Sequence, residues 1–130
     1  MMIPTREDVE NFIRWLAPQL GLDSDLHLRQ CQAESGFNQA EVSPCGALGL
    51  MQLMPKTAEG LKVDPKDWRQ NVNGGLKYMA SLKKKYGEYP KALAAYNFGP
   101  GNLDRCLTVH GSDWRTFLPT ETKNYLNKIL

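Results

Sequence analysis

Cys31-Gln32-Ala33-Glu34-Ser35-Gly36-Phe37 reads as the last turn of an amphipathic helix, and Gly46-Ala47-Leu48-Gly49-Leu50-Met51-Gln52-Leu53-Met54-Pro55 follows within twenty residues of Glu34. A carboxylate beside that much apolar surface has its charged form disfavoured. That is how a glutamate stays protonated near neutral pH and serves as an acid. A lone helix-terminal glutamate most often faces solvent instead. The rest of the chain has to decide between the two.

Working outward, helical spacing dominates. Thr5 with Asp8 three residues on forms a capping-box pattern, and Val9, Phe12, Ile13, Leu16 and Leu20 share one face of a first helix. Pro18 is expected to bend or end it and Gly21 to close it. Asp23 or Ser24 caps a second helix with Leu26 and Cys31 inward, stopped by Gly36, which places Glu34 in its last turn. Residues 37–54 hold no sustained helical period and contain Pro44, Gly46 and Gly49, so they read as loop with a short β-hairpin.

Pro55 suits the first position of a short helix ending at Gly60, and Asp64-Pro65-Lys66-Asp67 is a turn. A long helix follows, with Val72, Leu76, Met79, Leu82 and Tyr86 on one stripe, Lys77, Ser81 and Lys84 opposite, and Gly87 as its stop. Pro90 opens another, closed by Gly99-Pro100-Gly101; short helical pieces around 103–107 and 114–118 precede a last helix from Pro119 to Leu130. The expected fold is mainly α, one globular helical domain over residues 1–130 with a small irregular or β-hairpin segment around 42–54.

Composition narrows the function classes. With 130 residues, 42% of them hydrophobic, the chain can bury a core without disulfides. No stretch approaches the roughly 20 apolar residues of a membrane helix, so no membrane insertion is expected. Thr5-Arg6-Glu7-Asp8 puts acids where a secretory signal carries its apolar core, so no signal peptide is expected.

Three cysteines, Cys31, Cys45 and Cys106, cannot all pair within one chain. His27 and Cys31 stand four apart on one helix, yet no second pair at ligand spacing completes a closed metal site. No metal and no cofactor are expected. A net charge of +2 is too small to argue for nucleic acid. Lys83-Lys84-Lys85 is a solvated helix face or a mild attraction to an anionic polymer.

Three separated blocks carry a resemblance. They are Glu34-Ser35-Gly36-Phe37-Asn38 with Ser43-Pro44-Cys45-Gly46-Ala47-Leu48-Gly49-Leu50-Met51-Gln52-Leu53-Met54-Pro55; Ala92-Leu93-Ala94-Ala95-Tyr96-Asn97-Phe98-Gly99-Pro100-Gly101; and Pro119-Thr120-Glu121-Thr122-Lys123-Asn124-Tyr125. Together they resemble the soluble lytic transglycosylase family, relatives of goose-type lysozyme that cleave the glycan strands of bacterial peptidoglycan. The likeness runs from about Leu22 to the C-terminus.

The resemblance implies a lysozyme-like fold and a one-acid mechanism. Glu34 protonates the leaving oxygen of the MurNAc-β-1,4-GlcNAc bond, the substrate's acetamido oxygen attacks the anomeric carbon, and the muramoyl 6-hydroxyl traps the ion to leave a 1,6-anhydro end. Most glycosidases use a second carboxylate; Glu41 and Glu59 lie near the motif, and neither is obviously aimed at Glu34.

Ser43 matches the family serine expected to hold the acetamido group, with a plain turn serine before Pro44 as the other reading. Met51 and Gln52 match its Gly-Leu-Met-Gln segment: the methionine can pack on a sugar face, and the amide can donate to and accept from hydroxyls. Leu50, Leu53 and Met54 are read as core. Ala95, Tyr96 and Asn97 match the Ala-Tyr-Asn block. Tyr96 is expected to support the charged intermediate, Ala95 to contact substrate, and Asn97 to order the site or hold a hydroxyl. Glu121 and Tyr125, four apart on one helix face, match the final block. Tyr125 is expected to line the cleft, and Glu121 either binds sugar or is structural. Asn71 and Asn73 both sit near a family asparagine, with a helix-cap role open for Asn71. Residues 105–118, with Cys106, His110 and Trp114, depart from the family pattern.

The expected partner is thus peptidoglycan, acted on by a monomer in the periplasm after holin-type release or as a virion-borne enzyme, with the catalytic domain of a bacterial host protein as the other possibility. A hydrolytic muramidase of the same fold and a catalytically silent wall-binding or virion module are the rivals.

Overall fold

The helix that carries Glu34 owes its position to the one before it. The computed structural model describes residues 3–130, and its first helix, α1 (Arg6–Gln19), starts with the capping box. Thr5 Oγ1 accepts from Asp8 N at 3.0 Å while Thr5 N donates to Asp8 Oδ2 at 2.9 Å. The Thr5 backbone bond, with the Thr5 side chain beside it, also holds the Asp8 carboxyl below the usual carboxylate range. Val9, Ile13, Leu16 and Ala17 are buried, whereas Phe12 and Leu20 are only half-buried. Pro18 lies in the final turn, where the helix ends.

α2 (Ser24–Ser35) packs against α1. Its first turn is capped by Asp23, whose Oδ1 accepts from Leu26 N at 3.2 Å, and Gly36 ends it in the left-handed conformation (φ 61°). Glu34 sits in the last turn, as the spacing predicts.

Residues 37–54 form a chain of turns. The expected hairpin reduces to two isolated antiparallel bridges, Val42 with Leu48 and Leu48 with Leu53. Glycines at 46 (φ 91°) and 49 (φ 78°) break any longer ladder. The apolar residues Leu50, Met51 and Leu53 are nonetheless buried. α3 (Pro55–Gly60) and the 64–67 turn lead into α4 (Trp68–Tyr86), whose first amides, Arg69 N and Gln70 N, donate to Asp67 Oδ1. Val72, Leu76, Met79 and Leu82 form its buried stripe.

The chain groups into two compact units, one reaching to Ala80 and the other running from Ser81 to Leu130, with the division inside α4. In the second unit, α5 (Tyr89–Phe98) packs on α6 (Pro100–His110) and on α7 (Thr120–Ile129). Ala92, Leu93, Ala94 and Ala95 are all buried, Leu93 among the largest fully buried side chains. α6 is longer than the short piece expected around 103–107. Pro100 opens it directly behind Gly99, and it runs until Gly111. A 3-10 helix (Gly111–Phe117) then fills the stretch expected to hold a piece at 114–118, with Cys106 Sγ donating to Trp114 O at 3.4 Å.

Of the three consecutive lysines, Lys83 lies over the Tyr89 ring at 4.5 Å and Lys85 pairs with Asp104 at 3.0 Å, while Lys84 is exposed. Among the described residues no helix is long and apolar enough to cross a membrane.

Candidate active site

Glu34 is half-buried at the end of α2. The next residue ties that end to the apolar loop: Ser35 Oγ donates to Leu50 O at 2.8 Å and also reaches Cys31 O at 3.3 Å. Cys31 Sγ donates to the same Leu50 carbonyl at 3.7 Å. Burial pushes the Cys31 thiol up to about 12, the Ser35 hydrogen bond opposes the rise, and the Glu34 carboxylate adds to it. Glu34 therefore acts electrostatically on a fully buried sulfur, and the residue after it is bonded to the backbone of a buried apolar loop.

His27 Nδ1 bonds Gln30 Oε1 at 2.7 Å, and Cys31 is turned to Leu50. Among the described residues no group of three or more His, Cys, Asp or Glu is placed to hold a metal ion. Thiol chemistry follows from exposure. Iodoacetamide at mildly alkaline pH is expected to label exposed Cys45 first, half-buried Cys106 more slowly, and Cys31 only on unfolding. Peptide mapping by mass spectrometry checks this order, and rapid labelling of Cys31 in the folded chain would contradict it.

The loop places its predicted residues unequally. Ser43 is half-buried in a tight turn, its Oγ accepting from Ala47 N at 2.9 Å and its N–H donating to Ala47 O at 3.0 Å. The turn reading is thus realised at the oxygen, while the hydroxyl hydrogen is left to be donated elsewhere. Met51 is fully buried, so packing of its side chain on a sugar face does not hold in this structure. It belongs to the core with Leu50 and Leu53, whereas Met54 is exposed rather than core. Gln52 (φ 51°) uses its Nε2 on loop carbonyls, Glu41 O at 3.1 Å and Gly49 O at 2.9 Å. Its expected donation to sugar hydroxyls is therefore replaced by donation to the loop, with Oε1 as the remaining acceptor. Glu41 and Glu59 are exposed.

Two residues outside the predicted set hold this loop. Asn71, fully buried, accepts from Met51 N at 2.8 Å through Oδ1 and donates through Nδ2 to Leu48 O at 2.8 Å and Pro65 O at 2.9 Å. It is not the helix cap; Asp67 is. Gln39 accepts from Leu50 N at 3.1 Å and donates to Pro65 O and Lys66 O, each at 3.1 Å. Asn71 carried a sequence signal, the family asparagine, but Gln39 carried none.

In the second unit, Ala95 is fully buried, its carbonyl accepting from Gly99 N at 2.8 Å, so its side chain has no surface to offer a substrate. Tyr96 and Asn97 are half-buried. Asn97 Oδ1 accepts from Thr122 Oγ1 at 2.9 Å, which brings the second and third sequence blocks together and makes buried Thr122 a further residue of this region. Tyr125 is only 6% exposed and thus mostly core, against the expectation of a cleft-lining side chain. Glu121, one turn earlier, is exposed.

A mainly α chain with an irregular loop folded over the end of a glutamate-bearing helix is a lysozyme-like arrangement. Residues 13–113 match the Transglycosylase SLT domain family, and the chain belongs to it. It is 34% identical over 113 residues to a transglycosylase of Enterobacteria phage PRD1, covering 86% of this chain and 38% of that protein. It is also 42% identical over 78 residues to membrane-bound lytic murein transglycosylase F of Yersinia pestis, covering 54% of this chain and 16% of the relative.

Among solved structures it resembles the soluble lytic transglycosylase of Escherichia coli with a TM-score of 0.82 and 25% identity, over 92% of this chain and 22% of that one. It likewise resembles an inactive Glu-to-Gln mutant of lytic transglycosylase Slt from Pseudomonas aeruginosa, with a TM-score of 0.81, 26% identity and the same coverage, 92% and 22%. The chain thus spans well under half the length of these relatives.

Proposed function

We propose that this chain is the catalytic domain of a peptidoglycan lytic transglycosylase, occupying all of residues 1–130, and that Glu34 is its single acid and base. The observation that carries the reading is the seat of Glu34, half-buried in the last turn of α2, between Cys31 and Ser35, whose side chains tie that turn to the Leu50 carbonyl. An acid that must also return as a base needs a proton affinity near working pH.

In the first step Glu34 gives its proton to the glycosidic oxygen and the bond to the anomeric carbon breaks, while the neighbouring acetamido oxygen bonds to that carbon. In the second step the muramoyl 6-hydroxyl attacks the same carbon and displaces the acetamido oxygen. Its proton passes to Glu34, which restores the acid. No water is consumed, and the product carries a 1,6-anhydro end. The exposed positions of Glu41 and Glu59 favour this route over a two-carboxylate mechanism.

The likeness to a transglycosylase of phage PRD1 is compatible with a phage enzyme acting on the bacterial wall, and we infer release to the periplasm for lysis or carriage in the virion as its route there. Mass spectrometry of the muropeptides released from intact murein tests the reading. Anhydromuropeptides are expected as the main product. Reducing-end muramic acid would make the chain a muramidase, and no release would make it a binding module.

Ser43→Ala and Tyr96→Phe are each expected to lower kcat more than they raise KM, because both hydroxyls are assigned to charge that develops in the transition state. One such hydrogen bond is worth on the order of 1.5–3 kcal/mol, or roughly ten- to a hundred-fold in rate. Since Ser43 also holds a turn, its kinetics are to be compared below its melting temperature. A pure KM effect for both would move them from catalysis to ground-state binding.

A further inference from the structure

Two side-chain amides from distant parts of the sequence grip the Leu48–Met51 backbone from both flanks. Gln39 takes the Leu50 N–H and Asn71 takes the Met51 N–H and the Leu48 carbonyl, and both donate to one shared anchor, the Pro65 carbonyl. Gly49 passes between them: a Cβ there would stand 2.8 Å from Gln39 Oε1 and would land on Asn71 Nδ2. What this grip fixes is the Leu50 carbonyl, the atom on which Ser35 and Cys31 close the end of α2. A continuous set of hydrogen bonds therefore runs from the Pro65–Lys66 turn through the loop to the residue after Glu34.

We propose that Gln39, with Asn71, is a positioning residue for Glu34: the pair sets the Leu50 carbonyl, and through Ser35 the final turn of α2, at the distance the proton transfer needs. This rests on the assignment of Glu34 as the acid. The amide type is required because each residue must accept from one N–H and donate to two carbonyls at once, which neither a carboxylate nor a hydroxyl can do. A small displacement of an acid from its reacting oxygen is costly, about a hundredfold for roughly 1 Å.

The test is Gln39→Met, which keeps the length and most of the volume but makes none of the three hydrogen bonds, together with Asn71→Ser. Gln39 is half-buried, so its variant stays informative even where the Asn71 variant fails to fold. With intact murein, Gln39→Met is expected to lower kcat by tenfold or more with KM within about twofold, at a temperature where circular dichroism shows it folded. Hydrogen exchange at the Leu50 amide is expected to accelerate in the same variant. A folded Gln39→Met with kcat within about twofold of the unmodified chain, or with a changed KM alone, overturns the proposal. If the unmodified chain itself releases no anhydromuropeptide, the catalytic reading falls and this proposal with it; an active parent with an unaffected variant sinks only the positioning role.

Discussion

Glu34→Gln is expected to abolish the release of anhydromuropeptides while leaving thermal stability and murein binding close to those of the parent. Glutamine keeps the length, shape and acceptor oxygen of glutamate but has no acidic proton to deliver. Removing a positioned general acid costs on the order of a hundred- to ten-thousand-fold, and in the proposed mechanism the same residue serves in both steps, so the losses fall on one side chain. The fold has little reason to respond. The bonds that tie the end of α2 to the loop are made by Ser35 and Cys31, and Gly36 terminates the helix by its backbone conformation. Turbidity clearing and muropeptide analysis measure the loss, and a pull-down on murein sacculi measures the binding. Retention of more than a few per cent of activity would place the acid elsewhere.

Gly49→Ala is the substitution expected to damage stability most for its size. The residue has φ +78°, where a Cβ costs about 1–2 kcal/mol against the following carbonyl. The added carbon would also meet Gln39 Oε1 and Asn71 Nδ2, forcing at least one amide aside, and overpacking of that kind costs about 1–3 kcal/mol. Displacing Asn71 leaves the buried Met51 N–H without its acceptor, a further loss of about 1–3 kcal/mol. These terms overlap, so the expected sum is on the order of 3 kcal/mol, or a fall of about 10 °C in Tm. Differential scanning calorimetry checks it. An unchanged Tm would mean that the loop accommodates the methyl group without disturbing either amide, contrary to the geometry. Gly21→Ala is the control, since Gly21 shares a positive φ (+71°) but an added methyl there would have nothing within 4 Å. It should lose only the backbone contribution.

The helices were legible because their signals are local. Thr5 with Asp8, Asp23, Gly36 and Gly87 act on backbone groups within a turn of themselves, and the buried stripe Val72, Leu76, Met79 and Leu82 follows from helical spacing alone. α6 was underestimated because Gly99-Pro100-Gly101 reads as a stop, whereas Pro100 at a helix start is compatible with immediate re-entry into a new helix. The three motif blocks were enough to identify the family, since residue types at fixed spacing survive when overall identity is low.

Burial within a motif was not legible. In Leu50-Met51-Gln52-Leu53 nothing in the order of residues tells which side chain turns inward, as the backbone has neither a helical nor a strand period there. Left-handed Gln52 beside Gly49 puts Met51 wholly inside and turns the Gln52 amide back onto the loop. Ala95 and Tyr125 likewise match the family blocks, yet helix packing around α5 and α7 buries them. The sequence by itself determined most helix ends, the class of domain and the place of Glu34 in the last turn of α2, because caps, periodicity and motif spacing act over a few residues. Tertiary structure alone decided what holds the Leu48–Met51 backbone in place. Gln39 finds Leu50, Pro65 and Lys66 at separations of 11, 26 and 27 residues, and Asn71 finds Met51 and Leu48 at 20 and 23. Hydrogen bonds over such distances exist only after the chain has folded back on itself.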